Sequence, residues 1–182
     1  MARGSSGDRG TTIVGSGHAA NRMPKNHVLV EFSGALDEAQ VALGFAIVES
    51  QAQEHAHQLS ELTDCLVWMQ RQIFASGTIV LKNAPMDAIA DWSWDKLLEE
   101  VERCNNYFAP TKPIRDFILP GGSELAARIE FVRVAIRRVE RSYCACSFPD
   151  RDALPFYNRL SKLAFTLARH SNEVLEAPET LL

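Results

Sequence analysis

Arg133, Arg137 and Glu140 are the residues on which a chemistry can be built. They lie in the stretch Phe117–Tyr143, FILPGGSELAARIEFVRVAIRRVERSY, at spacings of i, i+4 and i+7. On a helix that spacing gathers them on one face. Guanidinium groups so placed suit a phosphate or a carboxylate, which they grip by charge-assisted hydrogen bonds. Arg138 and Arg141 fall on a different face of the same helix. The whole chain carries a net charge of −4, so the cationic cluster is a local feature. Something anionic must answer it, either a ligand or a carboxylate on a neighbouring helix. Asp37, at the margin of an apolar stripe, is the natural counter-charge for one arginine; adjacent Asp37-Glu38 in mid-helix also fits a solvated face.

A second candidate is the N-terminal segment 1–27, with five glycines among serines and threonines. Glycine lets successive N–H groups point into one concavity, and hydroxyls add donors, so Ser5-Ser6-Gly7-Asp8-Arg9-Gly10-Thr11-Thr12 could cradle phosphate. It lacks the GxxxxGK[ST] pattern of a Walker loop. Composition alone favours a disordered tail. Of the cysteines, Cys144 and Cys146 form a CxC with no second pair to complete a zinc set, so all four read as reduced thiols. His55 and His57 point two ways on a helix and read as solvated surface.

The elements that must position these groups are helices. The segment Val28–Gln51 carries Phe32, Leu36, Leu43 and Ile47 on one stripe; 54–76 repeats Leu59, Leu62, Leu66, Met69 and Ile73 at alternating three and four residues, with Gly77 as its stop. Ser93 caps a third helix at 94–108. Pro110 and Pro113 enforce an extended connector. Ser123 caps the arginine helix, whose packed side is Leu125, Ile129, Val132, Ile136, Val139 and Tyr143. A final helix covers 152–172, and the tail beyond Asn172 reads as frayed. The reading is all-α, a five-helix bundle with no strand: a segment at 1–27, a bundle domain at 28–172 and a tail at 173–182. The acidic balance argues against nucleic acid, and no apolar run approaches the roughly 20 residues that span a bilayer. The N-terminus has no apolar core of a secretory signal, so the expected location is cytoplasmic.

Taken in order, the motifs resemble the PduO-type ATP:cob(I)alamin adenosyltransferases. The resemblance rests on Gly7-Asp8-Arg9-Gly10-Thr11-Thr12, Arg22 and Lys25, Gly34 with Asp37-Glu38 and Gly44, Phe117-Ile118-Leu119-Pro120-Gly121-Gly122-Ser123, Arg133 with Arg137-Arg138-Val139-Glu140-Arg141, and Asn158-Arg159-Leu160-Ser161. The middle, 50–112, matches only in helical character. The resemblance implies a five-helix bundle forming a homotrimer, with ATP between subunits. It implies transfer of the 5′-deoxyadenosyl group of ATP to the cobalt of cob(I)alamin, giving adenosylcobalamin and triphosphate, with Mg²⁺ on the phosphates. A corrinoid reductase and an adenosylcobalamin-dependent acceptor enzyme are the partners it implies.

Carried onto this chain, the resemblance makes 1–27 a flexible nucleotide-binding loop, with Ser6, Gly7, Asp8, Gly10, Thr11, Thr12 and Lys25 toward the triphosphate. Arg137, Arg138, Glu140 and Asn158 complete the nucleotide site, Glu140 also toward the ATP-bound Mg²⁺. Asp37 pairs with Arg133 across a subunit boundary, and Phe117 sits under the corrin, displacing the lower axial base. This chain departs from the family pattern at Ser5, where a cation is usual; at Lys162, where an acid is usual; and at Gln40 and Glu130. Those departures motivate the rival expectation of a non-catalytic corrinoid carrier or chaperone with weakened ATP binding.

Overall fold

A computed structural model of the chain describes residues 7–14, 21–52, 54, 56–82, 92–114, 116–148 and 151–182. Five helices dominate: α1 (Val28–Ala52), α2 (Ser60–Lys82), α3 (Trp94–Tyr107), α4 (Glu124–Ala145) and α5 (Ala153–Val174). The all-α bundle expected from the apolar periodicities is the architecture found. Four short strands accompany it. The first two, β1 (Thr11–Val14) and β2 (Asn21–Pro24), form an antiparallel hairpin ahead of α1. The others, β3 (Ile118–Leu119) and β4 (Thr180–Leu181), pair antiparallel across the width of the chain.

α4 is the central helix, packed between α1 and α5, while α2 lies on α1 and α3 on α5. Its apolar seam is buried as the spacing requires: Leu125, Ile129, Val132, Ile136, Val139 and Tyr143 are all at or near zero exposure. Across from it α1 offers Ala35, Ala39, Ala42 and Ala46, small residues that let two helix backbones approach. Each fully buried Leu, Ile or Phe contributes about 1.5–3 kcal/mol by leaving water. Large aromatic rings close the end of the bundle near the start of α5. Phe32 lies 5.7 Å from Tyr143 and 6.3 Å from Tyr157, and Phe148 stacks on Tyr143 at 5.1 Å. The buried Tyr157 hydroxyl donates to Ser76 Oγ at 3.0 Å, so its polar tip is satisfied inside the core.

Three expectations are corrected. α2 begins at Ser60, not 54, and runs through Gly77 to Lys82. Gly77 does not stop the helix; it lies on the face packed against α1, where a Cβ would meet Leu36 Cδ1 at 2.9 Å. The apolar residues Ile79, Val80 and Leu81 then carry the packed face onward. Strands exist where none was expected, since pairs of two to four residues leave too little alternation to read. The tail beyond Asn172 is held, not frayed. Beyond β4, Leu182 N–H donates to the Phe117 carbonyl at 3.0 Å, and Arg169 on α5 grips Glu179 at 2.8 and 3.1 Å. Among the described residues no helix is long and apolar enough to cross a membrane.

Candidate functional site

Ser123 starts α4 with extended backbone and accepts from Ala126 N–H at 3.1 Å, the N-cap its type and position foretold. From that start, the turn of α4 carries Arg133 and Arg137 toward the segment before β3. On the facing helix α5, Asn158, Ser161, Lys162 and Phe165 present one side. Between them lies a cleft of about 390 Å³, with Ile114, Asp116, Phe117 and Ile118 along its remaining side. Three of the four charged groups lining it are cations, so the cleft favours an anion. Arg133 Nε is held by Glu130 Oε2 at 2.5 Å, and the burial of Glu130 makes that pair a fixed strut. Arg137 is exposed and has no ion-pair partner among the described residues. Its guanidinium is available to a ligand.

Phe117 is 79% exposed, an unusual state for a large aromatic ring. Its N–H donates to Asp116 Oδ1 at 2.8 Å and its carbonyl accepts from the Leu182 N–H of the tail, so the backbone is held while the ring stands in solvent at the mouth of the cleft.

The remaining predicted residues divide. Arg138, one position past Arg137, is turned about 100° round the helix and crosses to α1, donating to Glu31 at 2.8 Å and Glu38 at 3.0 Å. The structure therefore does not bring Arg138 to the cleft; inside this chain α1 answers Arg138 with Glu31 and Glu38, and Arg128 with Glu49 at 3.4 Å. Asp37 is exposed on another side, in a separate hollow of about 210 Å³ with Ser33, Gln40, Phe74 and Thr78. There α1 is pinned to α2 by reciprocal bonds, Gln40 Nε2 to the Gln70 carbonyl at 2.9 Å and Gln70 Nε2 to the Gln40 carbonyl at 3.0 Å. Within one protomer Asp37 and Arg133 do not meet. Glu140 is half-buried on α4, outside the residues that line the cleft.

The N-terminal candidates fold into a turn and hairpin. Gly10 takes φ +70°, which a glycine adopts without strain, and its carbonyl accepts from Lys25 N–H at 2.9 Å. The Lys25 ammonium lies over the turn: a methyl on Gly7 would sit 3.6 Å from Nζ. Thr11 pairs with Pro24 and Thr12 with Met23, and Arg22 donates to Thr11 Oγ1 at 2.9 Å. Asp8 is exposed on the same turn. Ser6 lies outside the described residues.

The sequence reading assigned no site role to Lys162, Phe165, Asp116 or Ile114, all of which line the cleft. The first two carry a signal: with Asn158 they stand at i, i+4 and i+7, a single helical face. Asp116 and Ile114 belong to an irregular connector, where no period exists to find them. Among the described residues no group of three or more His, Cys, Asp or Glu could hold a metal ion by itself.

Comparison with known proteins places this arrangement. A sequence model of the cobalamin adenosyltransferase family matches residues 3–171. The corrinoid adenosyltransferase PduO of Citrobacter freundii is 31% identical over 179 residues, covering 93% of this chain; the chain spans about half, 51%, of that relative's length. The corrinoid adenosyltransferase of Mycobacterium tuberculosis strain H37Rv is 32% identical over 177 residues, covering 91% of this chain and 86% of the relative. Among solved structures, a phenylalanine-to-histidine variant of the PduO-type ATP:corrinoid adenosyltransferase of Lactobacillus reuteri, complexed with cobalamin and ATP, superimposes with a TM-score of 0.80. It is 26% identical, with 97% of this chain and 94% of that one covered. An arginine-to-lysine variant of the same enzyme, complexed with ATP, gives 0.78 at 26% identity, covering 97% of each chain. With the bundle, the arginine-lined cleft and the exposed phenylalanine already in place, the match over nearly its whole length leaves one conclusion: this chain belongs to the cobalamin adenosyltransferase family.

Proposed function

We propose that this protein transfers the 5′-deoxyadenosyl group of ATP to the cobalt of cob(I)alamin, releasing triphosphate. The observation that carries the reading is the cleft that gathers Phe117, Arg133, Arg137 and Asn158 from three separate elements in a chain of this family. In the reaction the electron pair of cobalt(I) forms the Co–C5′ bond, and the C5′–O5′ bond breaks with its pair leaving on the triphosphate. No proton moves at the reacting carbon. The protein therefore needs charge and positioning, and no side-chain nucleophile or base.

Each residue has a task on this reading. Arg137, with its charge unspent, meets phosphate oxygens and stabilises the charge that builds on the leaving triphosphate. Lys162 adds a second free cation to the same cleft. Its place in the cleft favours this reading over the expectation that a base at this position weakens the nucleotide site. Lys25 and the hydroxyls of Thr11 and Thr12, on a turn closed by the Gly10 N–H to the Gly7 carbonyl at 3.3 Å, are donors suited to the rest of the triphosphate. Asn158 offers amide hydrogen bonds toward the nucleotide. The carboxylate of Glu140, with no metal-ligand cluster among the described residues, would suit Mg²⁺ held mainly by phosphate and water. When bound, Mg²⁺ supplies neutralisation of phosphate charge. Phe117 stands at the corrin's lower face, where its bulk displaces the axial base and makes cobalt(II) easier to reduce.

Asp37 and Arg133 lie on different faces of one protomer, so their pairing requires a second copy. A homotrimer in which each site takes Asp37 from one subunit and the Arg133 cleft from the next accounts for both. Exposed Val41, Phe45 and Val48 on α1 with Phe131 and Val134 on α4 supply an apolar surface for that assembly. The reading is tested by mixing the protein anaerobically with ATP, Mg²⁺ and chemically reduced cobalamin. The adenosylcobalamin spectrum is expected; cobalamin binding without conversion would instead establish the non-catalytic carrier.

A further inference from the structure

The ring of Phe117 is exposed, so packing within the protomer does not fix where it stands. Its position is set through its backbone, which Asp116 and Leu182 hold directly, and through the Gly121–Ser123 turn that follows, which is held by Asn172, near the end of α5. Asn172 is 4% exposed and lies one residue beyond the span 3–171 that the family match covers. Its Oδ1 accepts from Ser123 N–H at 2.8 Å and from Ser123 Oγ at 3.0 Å, while its Nδ2 donates to the Gly121 carbonyl at 3.0 Å. The orientation of the amide is dictated by its partners, since the Ser123 N–H can only donate and the Gly121 carbonyl can only accept. Ser123 Oγ gives its proton to Asn172 and accepts from Ala126 N–H, so Asn172 braces the N-cap of α4 from behind.

The turn is shaped to this amide. Gly122 has φ +94°, and a Cβ there would lie 2.5 Å from both Asn172 Nδ2 and Oδ1. On its other side Asn172 turns the chain: its carbonyl accepts from Ala177 N–H at 2.9 Å, and the following residues return as β4 beside β3. One residue thus ties the Pro-Gly-Gly turn, the start of α4 and the reversal that feeds the tail to Phe117. The short segment carrying Phe117 is clamped at its far end by Asn172 side-chain bonds and along its edge by the tail.

We infer that Asn172 is a positioning residue for Phe117, acting through the Gly121 carbonyl, Ser123 and the β3–β4 pair. The inference rests on the proposed place of Phe117 beneath the corrin. Its test uses Asn172→Asp and Asn172→Ala in the full chain. Asn172→Asp keeps the acceptor for Ser123 but sets an oxygen against the Gly121 carbonyl; Asn172→Ala removes both bonds. In the ligand-free protein, amide exchange of residues 117–123 is expected to quicken at least tenfold in both variants, with the buried half of α4 unchanged. With pre-reduced cob(I)alamin the rate is expected within about threefold of wild type, and starting from cob(II)alamin with a reductant at least tenfold lower. Unchanged exchange at 117–123, or rates that fall equally from the two cobalt states, would overturn the positioning role. Wild-type protein that forms no adenosylcobalamin would sink the proposed reaction, while the exchange result would still decide whether Asn172 holds the turn.

Discussion

Arg137 and Arg138 are adjacent, identical in type and both exposed, yet the structure assigns them opposite work. Replacing each with alanine separates the two. Arg137 lines the cleft with Arg133 and Lys162 and has no partner ion among the described residues. A hydrogen bond to a charged group contributes about 1.5–3 kcal/mol, and in an open, wet cleft the lower part of that range applies. Since Arg133 and Lys162 remain after the substitution, a loss of about 1–2 kcal/mol is expected, which is roughly a 5- to 30-fold rise in the ATP dissociation constant. Arg138 is already engaged by Glu31 and Glu38 on α1. Arg138→Ala leaves two carboxylates of α1 facing each other without their cation, a surface effect that salt screens. ATP affinity should stay within about twofold, a change of less than half a kcal/mol. Isothermal titration with ATP and Mg²⁺, checked by the ATP KM at saturating cob(I)alamin, measures both. If Arg138→Ala weakens ATP binding as much as Arg137→Ala, the division of labour drawn from the two faces of α4 is refuted.

Asp37→Asn should leave the melting temperature of the isolated subunit unchanged, because Asp37 is exposed and unpaired among the described residues. If Asp37 is one partner of the proposed charge pair between subunits, the change should lower turnover about tenfold or more and loosen the proposed trimer; sedimentation velocity with the spectral assay checks both, and unaltered turnover would remove Asp37 from the site. Gly122→Ala must place a Cβ 2.5 Å from the Asn172 amide at φ +94°. Backbone strain and the displaced hydrogen bonds together should cost about 2–4 kcal/mol, read by urea unfolding; a variant as stable as wild type would mean the turn can rearrange. Burial against Phe108 lowers the pKa of His170 below its usual 6.5, an effect that Glu173 and Glu61 oppose. Its neutral form is the one that folds best, so its contribution is full above pH 6.5 and declines as pH falls from there toward the lowered value. Denaturation midpoints at pH 7.5 and 5.5 should differ less in His170→Gln than in wild type, and equal differences would show that other groups set the acid-side loss.

Much of the fold was legible because helices declare themselves locally. The seam of α4 from Leu125 to Tyr143, the N-caps Ser93 and Ser123, and the packed stripes of α1, α3 and α5 all follow from spacing and residue type. What failed did so for want of a local signal. Gly77 looks like a stop unless Leu36 is known to press on it. The strands β3 and β4 are two residues each, and either one exists only because the other lies beside it.

The same boundary runs through the site. The sequence by itself determined that α4 carries a cationic face and that Arg133, Arg137 and Glu140 share it, because helical rotation per residue is a property of the backbone alone. Through its resemblance it also pointed to the family. It could not decide what stands opposite each face. That Arg138 meets Glu31 and Glu38, 107 and 100 residues earlier, that Lys162 shares a cleft with Arg137, and that Asn172 holds the turn after Phe117 were all decided by tertiary structure. Periodicity gives a side chain's angle about its own axis; only the packing of other elements around that axis says which neighbour it finds, and so whether its charge is spent within the fold or left for a substrate.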